Sequence, residues 1–303
     1  MNIMGKIKIW FAVSFITLIA GIMALFVYKL NIGIDFTGGS LLEISTSETV
    51  NKEKIEQIYK DEKIEYTTIS SSGQESIIIR SKEINEDKKN DIINTINNKI
   101  GESEKVGEER FETIGPTVSS DLVRKAIISV ILASLGIIFY IAFAFRKMSD
   151  RGLSWRFGIC AIIALIHDLF IAAGLFALFG HIFGWEIDSL FITALLTVMG
   201  FSVHDTIVVF DRLRENLKKY SGDPFVDIAN ASLVQTFTRS INTSFTILLT
   251  LAALLFLGGN SIKPFVFTLF VGILVGTYSS IFIATPTVVI WQNIIDKKPG
   301  SRK

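Results

Sequence analysis

The sequence predicts a polytopic α-helical membrane protein with six transmembrane helices and one folded extracytoplasmic domain between the first and second spans. Composition is the first observation behind this fold class. Of the 303 residues, 50% are hydrophobic and only 19% are charged, and the mean hydropathy is +0.48, which exceeds what a soluble core of this size needs. The second observation is that the charges leave apolar runs about as long as a bilayer core is thick.

The first two spans are the most clearly defined. Residues 9–28 and 126–145 contain no charged side chain, and about 20 apolar residues are enough to cross a bilayer. The first run is longer than the apolar part of a secretory signal peptide, and no small-residue cleavage pattern follows Tyr28. We therefore expect it to stay attached as a membrane anchor.

Four further apolar runs complete the predicted bundle. They are residues 157–179, 189–210, 240–257 and 264–291. The last run is longer than one crossing requires and is interrupted near its end by Pro286. The predicted regions are a tail with the first span (1–28), the extracytoplasmic domain (29–124), the bundle (125–291) with loops 146–156 and 211–239, and a C-terminal tail (292–303).

Lys and Arg in the short connecting segments predict the orientation. The two tails and the loops 146–156 and 211–239 contain 15 of these residues, whereas segments 180–188 and 258–263 contain only Lys263. Positively charged short loops stay in the cytoplasm, so both termini are predicted to be cytoplasmic. Within the second loop, residues 223–237 have an apolar side, which predicts an amphipathic helix on the inner membrane surface.

The extracytoplasmic segment has the element order βαββαβ, which is ferredoxin-like. Alternation and turn residues predict strands at 41–45, 64–70, 76–80 and 110–114, a turn at 71–74, and helices at 51–61 and 85–100. The domain contains no His and no Cys, and its acidic residues lie along the predicted helices, where a solvated face is the usual explanation. A binding or mechanical module is expected.

Several function classes are disfavoured by composition. A net charge of +1 provides no clustered cationic surface for nucleic acid. The lone cysteine, Cys160, excludes an intrachain disulfide and a Cys-based metal site. Two His-Asp pairs occur, but successive helical residues point about 100° apart, so one pair offers at most one ligand to a given metal ion. We expect no metal, no cofactor and no covalent catalysis.

The chemistry is predicted to lie in the membrane. Asp168 is at the middle of the third span beside His167, and Asp205 is in the fourth span beside His204. A charge at the centre of a span costs about 2.5 to 3.5 kcal/mol even on lenient scales, so such carboxylates commonly mark an ion or proton path. Burial disfavours the charged form, whereas a nearby cation such as Arg239 favours it. A carboxylate between these influences can bind and release a proton.

Structural alternatives exist for the same residues. Asp168 is equally well explained as a hydrogen-bond acceptor for the polar stretch 242–244, which would join the third and fifth spans. Gly272 and Gly276 have the spacing of a close contact between membrane helices. Position in the sequence does not separate these explanations.

Five motifs occur in order along the chain. They are residues 33–40 (GIDFTGGS), 115–118 (GPTV), 167–168 (HD), 200–216 (GFSVHDTIVVFDRLREN) and 238–244 (TRSINTS). The positions in the first two that define a structural motif are Gly33, Asp35, Phe36, Gly38, Gly39, Gly115 and Pro116. Together the five resemble the SecF family of bacterial protein-export membrane subunits, relatives of the RND transporters. The resemblance covers essentially the whole chain and departs at His204, where other members often carry a different residue.

The resemblance implies an accessory subunit of the Sec translocase that works with a separate SecD chain and uses the proton gradient to promote preprotein export. The SecYEG channel, SecA and the small subunit YajC are implied partners in the bacterial cytoplasmic membrane. By motif, Asp205, Arg239 and Asp168 would form the proton relay. The supporting polar residues in the membrane would be His204, His167, Asn242 and Ser202. A passive scaffold and one half of an RND-type exporter are the alternatives.

Overall fold

The structure is a computed structural model that describes residues 2–45, 52–72, 76–100, 106–146 and 151–296. The chain forms two compact units. The helical unit comprises residues 1–29, 129–178 and 190–303. The other unit, called the outer unit after its predicted location, comprises residues 30–128 and 179–189.

Six helical segments in the described residues are long and apolar enough to cross a membrane, which confirms the predicted number of spans. They are Met4–Tyr28, Pro116–Ala144, Leu153–Phe183, Ser189–Lys219, Phe225–Leu257 and Asn260–Asp296. The corresponding helices are α1 (Ile7–Tyr28), α5 (Pro116–Ala144), α6 (Arg151–Phe183), α7 (Ser189–Lys219), α8 (Phe225–Leu257), α9 (Lys263–Ser279) and α10 (Thr285–Asp296).

The outer unit contains a four-stranded antiparallel sheet in the order β2-β3-β1-β4. Its elements are α2 (Ile34–Thr37), β1 (Gly39–Ser45), α3 (Lys52–Asp61), β2 (Thr68–Ser72), β3 (Ser76–Ser81), α4 (Glu86–Ile100) and β4 (Gly107–Ile114). From β1 to β4 the order is βαββαβ, so the predicted ferredoxin-like arrangement is confirmed.

The second strand is displaced from its predicted position. β2 begins at Thr68 rather than at residue 64, and part of the predicted turn at 71–74 continues the strand. The rest of that turn lies outside the described residues. The reason is that Ile64 and Tyr66 pack against the core before the strand begins, so the alternation of apolar residues continues beyond the hydrogen-bonded ladder.

Apolar side chains fill the core of the outer unit. The buried set is Leu42, Ile44, Ile55, Ile58, Tyr59, Ile69, Ile77, Ile79, Ile92, Ile96 and Val106. Burial raises the pKa of the Tyr59 hydroxyl above its ordinary value. Lys89 is also buried, but Glu108 and Glu86 pair with it at 2.8 and 2.6 Å and raise its pKa. These two glutamates neutralise the charge of the buried Lys89.

The two consecutive glycines before β1 are required by the backbone. Gly38 and Gly39 have φ angles of +72° and +110°, a region that side chains other than glycine rarely occupy. A Cβ atom on Gly39 would also collide with the carbonyl oxygen of Ser81. The first motif therefore provides a sharp change of direction where the chain enters the sheet.

Several helices of the helical unit continue past the predicted ends of their spans. α7 extends to Lys219 and α8 begins at Phe225, so most of the predicted loop 211–239 is helical. The apolar side of residues 223–237 buries Ile228 and Leu233 in the core of the unit. The prediction of an amphipathic helix lying on the membrane surface is wrong, because this side is covered by protein.

Small residues bring helices of this unit into close contact. A Cβ atom on Gly174 of α6 would overlap the backbone of Gly21 in α1. Cβ atoms on Gly272 and Gly276 of α9 would meet Val198 and Ser202 of α7. This confirms the close contact predicted from the spacing of the last two glycines.

The last span is interrupted as the sequence predicts. A π-helical turn, Ser280–Ala284, separates α9 from α10. Pro286 is the second residue of α10, after Thr285. It has no backbone N–H to donate, and its ring clashes with the carbonyl group four residues earlier, so the helix widens. The widened turn places Ser279 and Ser280 in the protein interior, where both are fully buried.

Candidate functional site

Among the described residues of the helical unit, two carboxylates are buried. Asp168 on α6 is 0% exposed and Asp205 on α7 is 3% exposed. Both positions belong to helices that the apolar runs predicted as spans. Their surroundings differ sharply.

Asp168 is held by short hydrogen bonds from three helical segments. Its Oδ2 atom accepts from Ser202 Oγ at 2.6 Å and from Ser279 Oγ at 2.7 Å. Its Oδ1 atom lies 3.0 Å from Nδ1 of His167. The alternative that Asp168 bonds the polar stretch 242–244 is wrong, because α7 and α9 provide the facing hydroxyls.

His167 is only partly satisfied. Its side chain is buried, and Nε2 has no hydrogen-bond partner in the part of the chain that the structure describes. The Nδ1 contact with Asp168 orients the ring. Sequence reasoning placed His167 as a supporting residue, and the geometry assigns it that position beside Asp168.

Asp205 is held much more weakly. Its Oδ2 atom accepts one long bond, 3.4 Å, from Ser244 Oγ, and Ser244 itself receives a 2.6 Å bond from Thr277. His204 and Arg239 lie near enough to act on Asp205 electrostatically. Among the described residues, however, no ion pair joins Asp205 to Arg239. The predicted pair therefore lies in one neighbourhood without direct contact.

Apart from the two carboxylates, a pair of hydroxyl groups forms a contact between α7 and the π-helical turn. Thr206 Oγ1 and Ser280 Oγ are 2.9 Å apart, and Ser280 also donates to the carbonyl oxygen of Ser202 at 3.2 Å. Within the described segments, no side-chain hydrogen bond connects the Asp168 group to the Asp205 group. The two carboxylates thus belong to separate polar clusters.

Polar residues also follow one exposed face of each of two helices. On α7 this face contains Thr193, Thr197, Gly200 and His204, and on α8 it contains Arg239, Asn242, Thr243 and Thr246. We call these eight residues the polar stripe. Three of its hydroxyls bond to their own helix backbone, but Arg239, Asn242 and His204 present strongly polar groups. Lipid is a poor covering for such a face. Sequence reasoning found its three strongly polar members but not that all three are exposed.

The residues of the first motif lie in the outer unit. Asp35 accepts a 2.8 Å bond from the backbone nitrogen of Ser189, and Gly33 donates its backbone N–H to Ile187 O at 2.9 Å. Phe36 is half-buried, and its backbone N–H closes the short helix α2 onto Gly33.

The second motif starts a long helix. The carbonyl oxygen of Gly115 accepts bonds from the N–H groups of Val118 and Ser119. Pro116 is the first residue of α5, a position that suits proline because no intrahelical N–H bond is lost there. The chain therefore passes from β4 into α5 at Gly115 and Pro116.

A metal centre receives no support from the described residues. No three His, Cys, Asp or Glu side chains of the described ranges come together closely enough to hold an ion.

Comparison with known proteins gives consistent matches over nearly the whole chain. The family Protein export membrane protein SecD/SecF, C-terminal, matches residues 92–294, and the SecD/SecF GG motif matches residues 24–50. A protein translocase subunit SecF from Thermobaculum terrenum is 43% identical over 296 residues, which cover 94% of this chain and 92% of the relative.

Fused proteins match as well. Protein translocase subunit SecDF from Bacillus subtilis is 36% identical over 98% of this chain, which spans 39% of that protein. The crystal structure of SecDF from Thermus thermophilus, described as a translocon-associated membrane protein, superposes with a TM-score of 0.82 at 32% identity. That superposition covers 97% of this chain and 39% of the solved chain.

Proposed function

The chain belongs to the SecD/SecF family of protein-export membrane proteins, and we propose that it is an accessory subunit of the Sec translocase that uses the proton gradient to promote preprotein export. The observation that supports the proton-driven part of this proposal is the environment of Asp205. It is buried within a helix that is long and apolar enough to cross a membrane, accepts one long hydrogen bond among the described residues, and lies next to the polar stripe.

A weakly held carboxylate can change its protonation at low structural cost. In the neutral state Asp205 keeps its contact with Ser244, and in the charged state it is attracted to Arg239. Each proton that moves down a potential of 100 mV releases about 2.3 kcal/mol. This energy biases a two-state rearrangement by about fifty-fold. Cycling between the two states is the proposed source of motion; no covalent catalysis is involved.

A separate SecD chain is the partner that this proposal requires. Fused SecDF relatives contain both halves in one polypeptide, which supports the pairing of the two proteins. The polar stripe supports it physically, because a second membrane subunit provides polar groups that lipid cannot provide. A carboxylate of SecD facing Arg239 would complete the relay. The SecYEG channel, SecA and YajC are the wider assembly in this proposal.

The proposed location is the bacterial cytoplasmic membrane with both termini in the cytoplasm. The distribution of Lys and Arg among the short connecting segments supports this orientation. The outer unit would then work on the far side of the membrane, where preproteins emerge.

The test is preprotein translocation into vesicles that contain this chain and SecD, with and without a proton gradient. We expect the variants Asp205→Asn and Arg239→Ala to assemble normally with SecD and to lose only the part of preprotein translocation that the proton gradient stimulates. Asp223→Asn is the matched control, because Asp223 is an exposed carboxylate in the turn between α7 and α8. If Asp205→Asn translocates like the wild type, the buried charge is structural and the chain is a passive scaffold.

A further inference from the structure

The chain segment that follows α1 is joined to the segment that precedes α7. Gly33 donates its backbone N–H to Ile187 O at 2.9 Å, and Ile187 donates to Asn31 O at 2.7 Å, so that Ile32 and Ile187 pair as neighbouring parallel strands do. A Cβ atom on Gly33 would lie 2.8 Å from Ile187 O. The glycine therefore permits a contact that any other residue would separate.

Asp35 adds a charged contact at the end of this pairing. One of its carboxylate oxygens, Oδ2, accepts both the backbone N–H of Ser189, at 2.8 Å, and the Ser189 hydroxyl. Ser189 is the first residue of α7. The first N–H groups of a helix have no partner within the helix and carry a partial positive charge, so a carboxylate placed there stabilises the helix end. Asp35 is thus a cap supplied from more than 150 residues away.

The capped helix is the one that carries the proposed proton site. Asp205 follows Ser189 by 16 residues on the uninterrupted helix α7, a distance of about 24 Å along the helix axis. In the other direction, Asp35 lies in α2, which leads through Gly38 and Gly39 into β1. One side chain therefore connects the start of the Asp205 helix with the entry to the sheet.

We propose that Asp35 is a positioning residue that fixes the outer end of α7 to segment 31–39 throughout the transport cycle. A displacement of α7 that begins at Asp205 is then delivered to β1 rather than lost in a flexible connection. The inference rests on the proposed function, because it assumes that the protonation of Asp205 moves α7. It assigns to the acidic residue of the first motif a mechanical role that is separate from proton transfer.

The first experiment removes the cap. Asp35→Ala is introduced into the full chain with its SecD partner, and translocation into vesicles is measured with and without a proton gradient. The gradient-stimulated part per assembled complex is expected to fall about fivefold to tenfold, equivalent to about 1 to 1.4 kcal/mol, the range of a lost charged cap. Ser189→Ala is expected to have a smaller effect, because the backbone N–H bond remains.

A matched control separates coupling from helix stability. Asn85 caps α4 of the outer unit in the same way, by accepting the backbone N–H of Lys88 at 3.0 Å. Asn85→Ala therefore removes a comparable cap that does not involve α7. It is expected to retain gradient-stimulated translocation; if it loses as much as Asp35→Ala, the effect is general destabilisation and the proposal is overturned.

A rescue experiment tests the mechanical role directly. In a Cys160→Ala background, Ile32→Cys and Ile187→Cys are combined with Asp35→Ala. Paired residues on neighbouring strands lie within the separation that a disulfide requires. Oxidation is expected to restore gradient-stimulated translocation, and reduction is expected to remove it again.

Two results would overturn the inference. One is that oxidation blocks translocation in the chain that retains Asp35, since the junction would then have to open in each cycle. The other is that Asp35→Ala behaves like the wild type while Asp205→Asn is inactive, which leaves the proposed function intact. If Asp205→Asn itself is fully active, the proposed function fails first and the inference fails with it.

Discussion

The regions around Asp168 and Asp205 show two ways of burying a carboxylate in a helical membrane unit. Asp168 accepts bonds of 2.6 and 2.7 Å from two serines and contacts His167 at 3.0 Å. Among the described residues, Asp205 accepts one bond, of 3.4 Å, from Ser244, with Thr277 near enough to interact with it, beside an exposed polar face. Burial is nearly the same, so the number and length of the donor contacts make the difference.

This difference separates a structural role from a reactive one. A carboxylate with several short donors connects the helices that provide them, and changing its charge weakens all of those bonds together. A carboxylate with one long donor has little to lose when its protonation changes. The comparison therefore favours Asp168 as the structural connection and Asp205 as the group that titrates.

The largest effect on stability is expected for Asp168→Ala. It removes the carboxylate that accepts from the Ser202 and Ser279 hydroxyls, although Ser279 keeps its bond to the carbonyl oxygen of Gly276, and this costs about 3 kcal/mol in total. Asp205→Ala is expected to cost less than about 1 kcal/mol, the usual range of one polar contact in a membrane. Unfolding of the full chain by SDS in mixed micelles measures both, and equal losses would remove the distinction.

Asp168→Asn sharpens the same comparison. An amide oxygen in place of Oδ2 still accepts both serine bonds, and the amide nitrogen can donate to Nδ1 of His167, so the loss in stability is expected to be about 1 kcal/mol. Gradient-stimulated translocation is expected to persist. A folded Asp168→Asn chain that has lost this stimulation would instead place Asp168 in the proton relay.

The two adjacent serines of the last span provide a closer test. Ser279 donates to the Asp168 carboxylate, whereas Ser280 contacts Thr206 and backbone carbonyls. A bond to a charged group is worth about 1.5 to 3 kcal/mol and a neutral one about 1. Ser279→Ala should therefore lower the SDS unfolding midpoint more than Ser280→Ala. Equal losses would show that the Asp168 carboxyl is neutral in the folded chain, because both serines would then make only neutral bonds.

The smallest effect is expected for Ser244→Ala. The bond that it removes from Asp205 is long. Thr277 loses its bond to Ser244 but keeps its bond to the carbonyl oxygen of Ile273, so the loss in stability should be about 0.6 kcal/mol or less. The same SDS titration measures it, with Thr246→Ala as a control that removes a hydroxyl bonded to its own helix backbone. A loss as large as that of Ser279→Ala would mean that Asp205 is held as firmly as Asp168.

The sequence patterns predicted the helices and strands more accurately than they predicted the side-chain contacts between them. Charge-free runs such as residues 9–28 defined the spans, because only long apolar helices satisfy the backbone in a bilayer. Alternation and helical spacing defined the sheet order of the outer unit. The boundaries were less certain: β2 begins four residues late, since Ile64 belongs to the core but not to the ladder.

The partners of the buried carboxylates were not predictable in this way. Asp168 bonds Ser202 and Ser279 rather than residues 242–244, because the rotation of each helix and the widened turn before Pro286 decide which hydroxyls face inward. The role of Asp35 was also hidden, since its partner Ser189 lies far away in the sequence. These contacts depend on packing across helices, and no local pattern encodes it.

The contact between Gly21 and Gly174 has a consequence for how the chain is made. The two helices touch through glycines that allow no side chain between them, yet their synthesis is separated by about 150 residues. At about 5 to 20 residues per second, the ribosome needs on the order of 10 to 30 s to cover that distance. During this interval the first helix has no α6 to pack against, so its insertion depends on its own apolar surface alone.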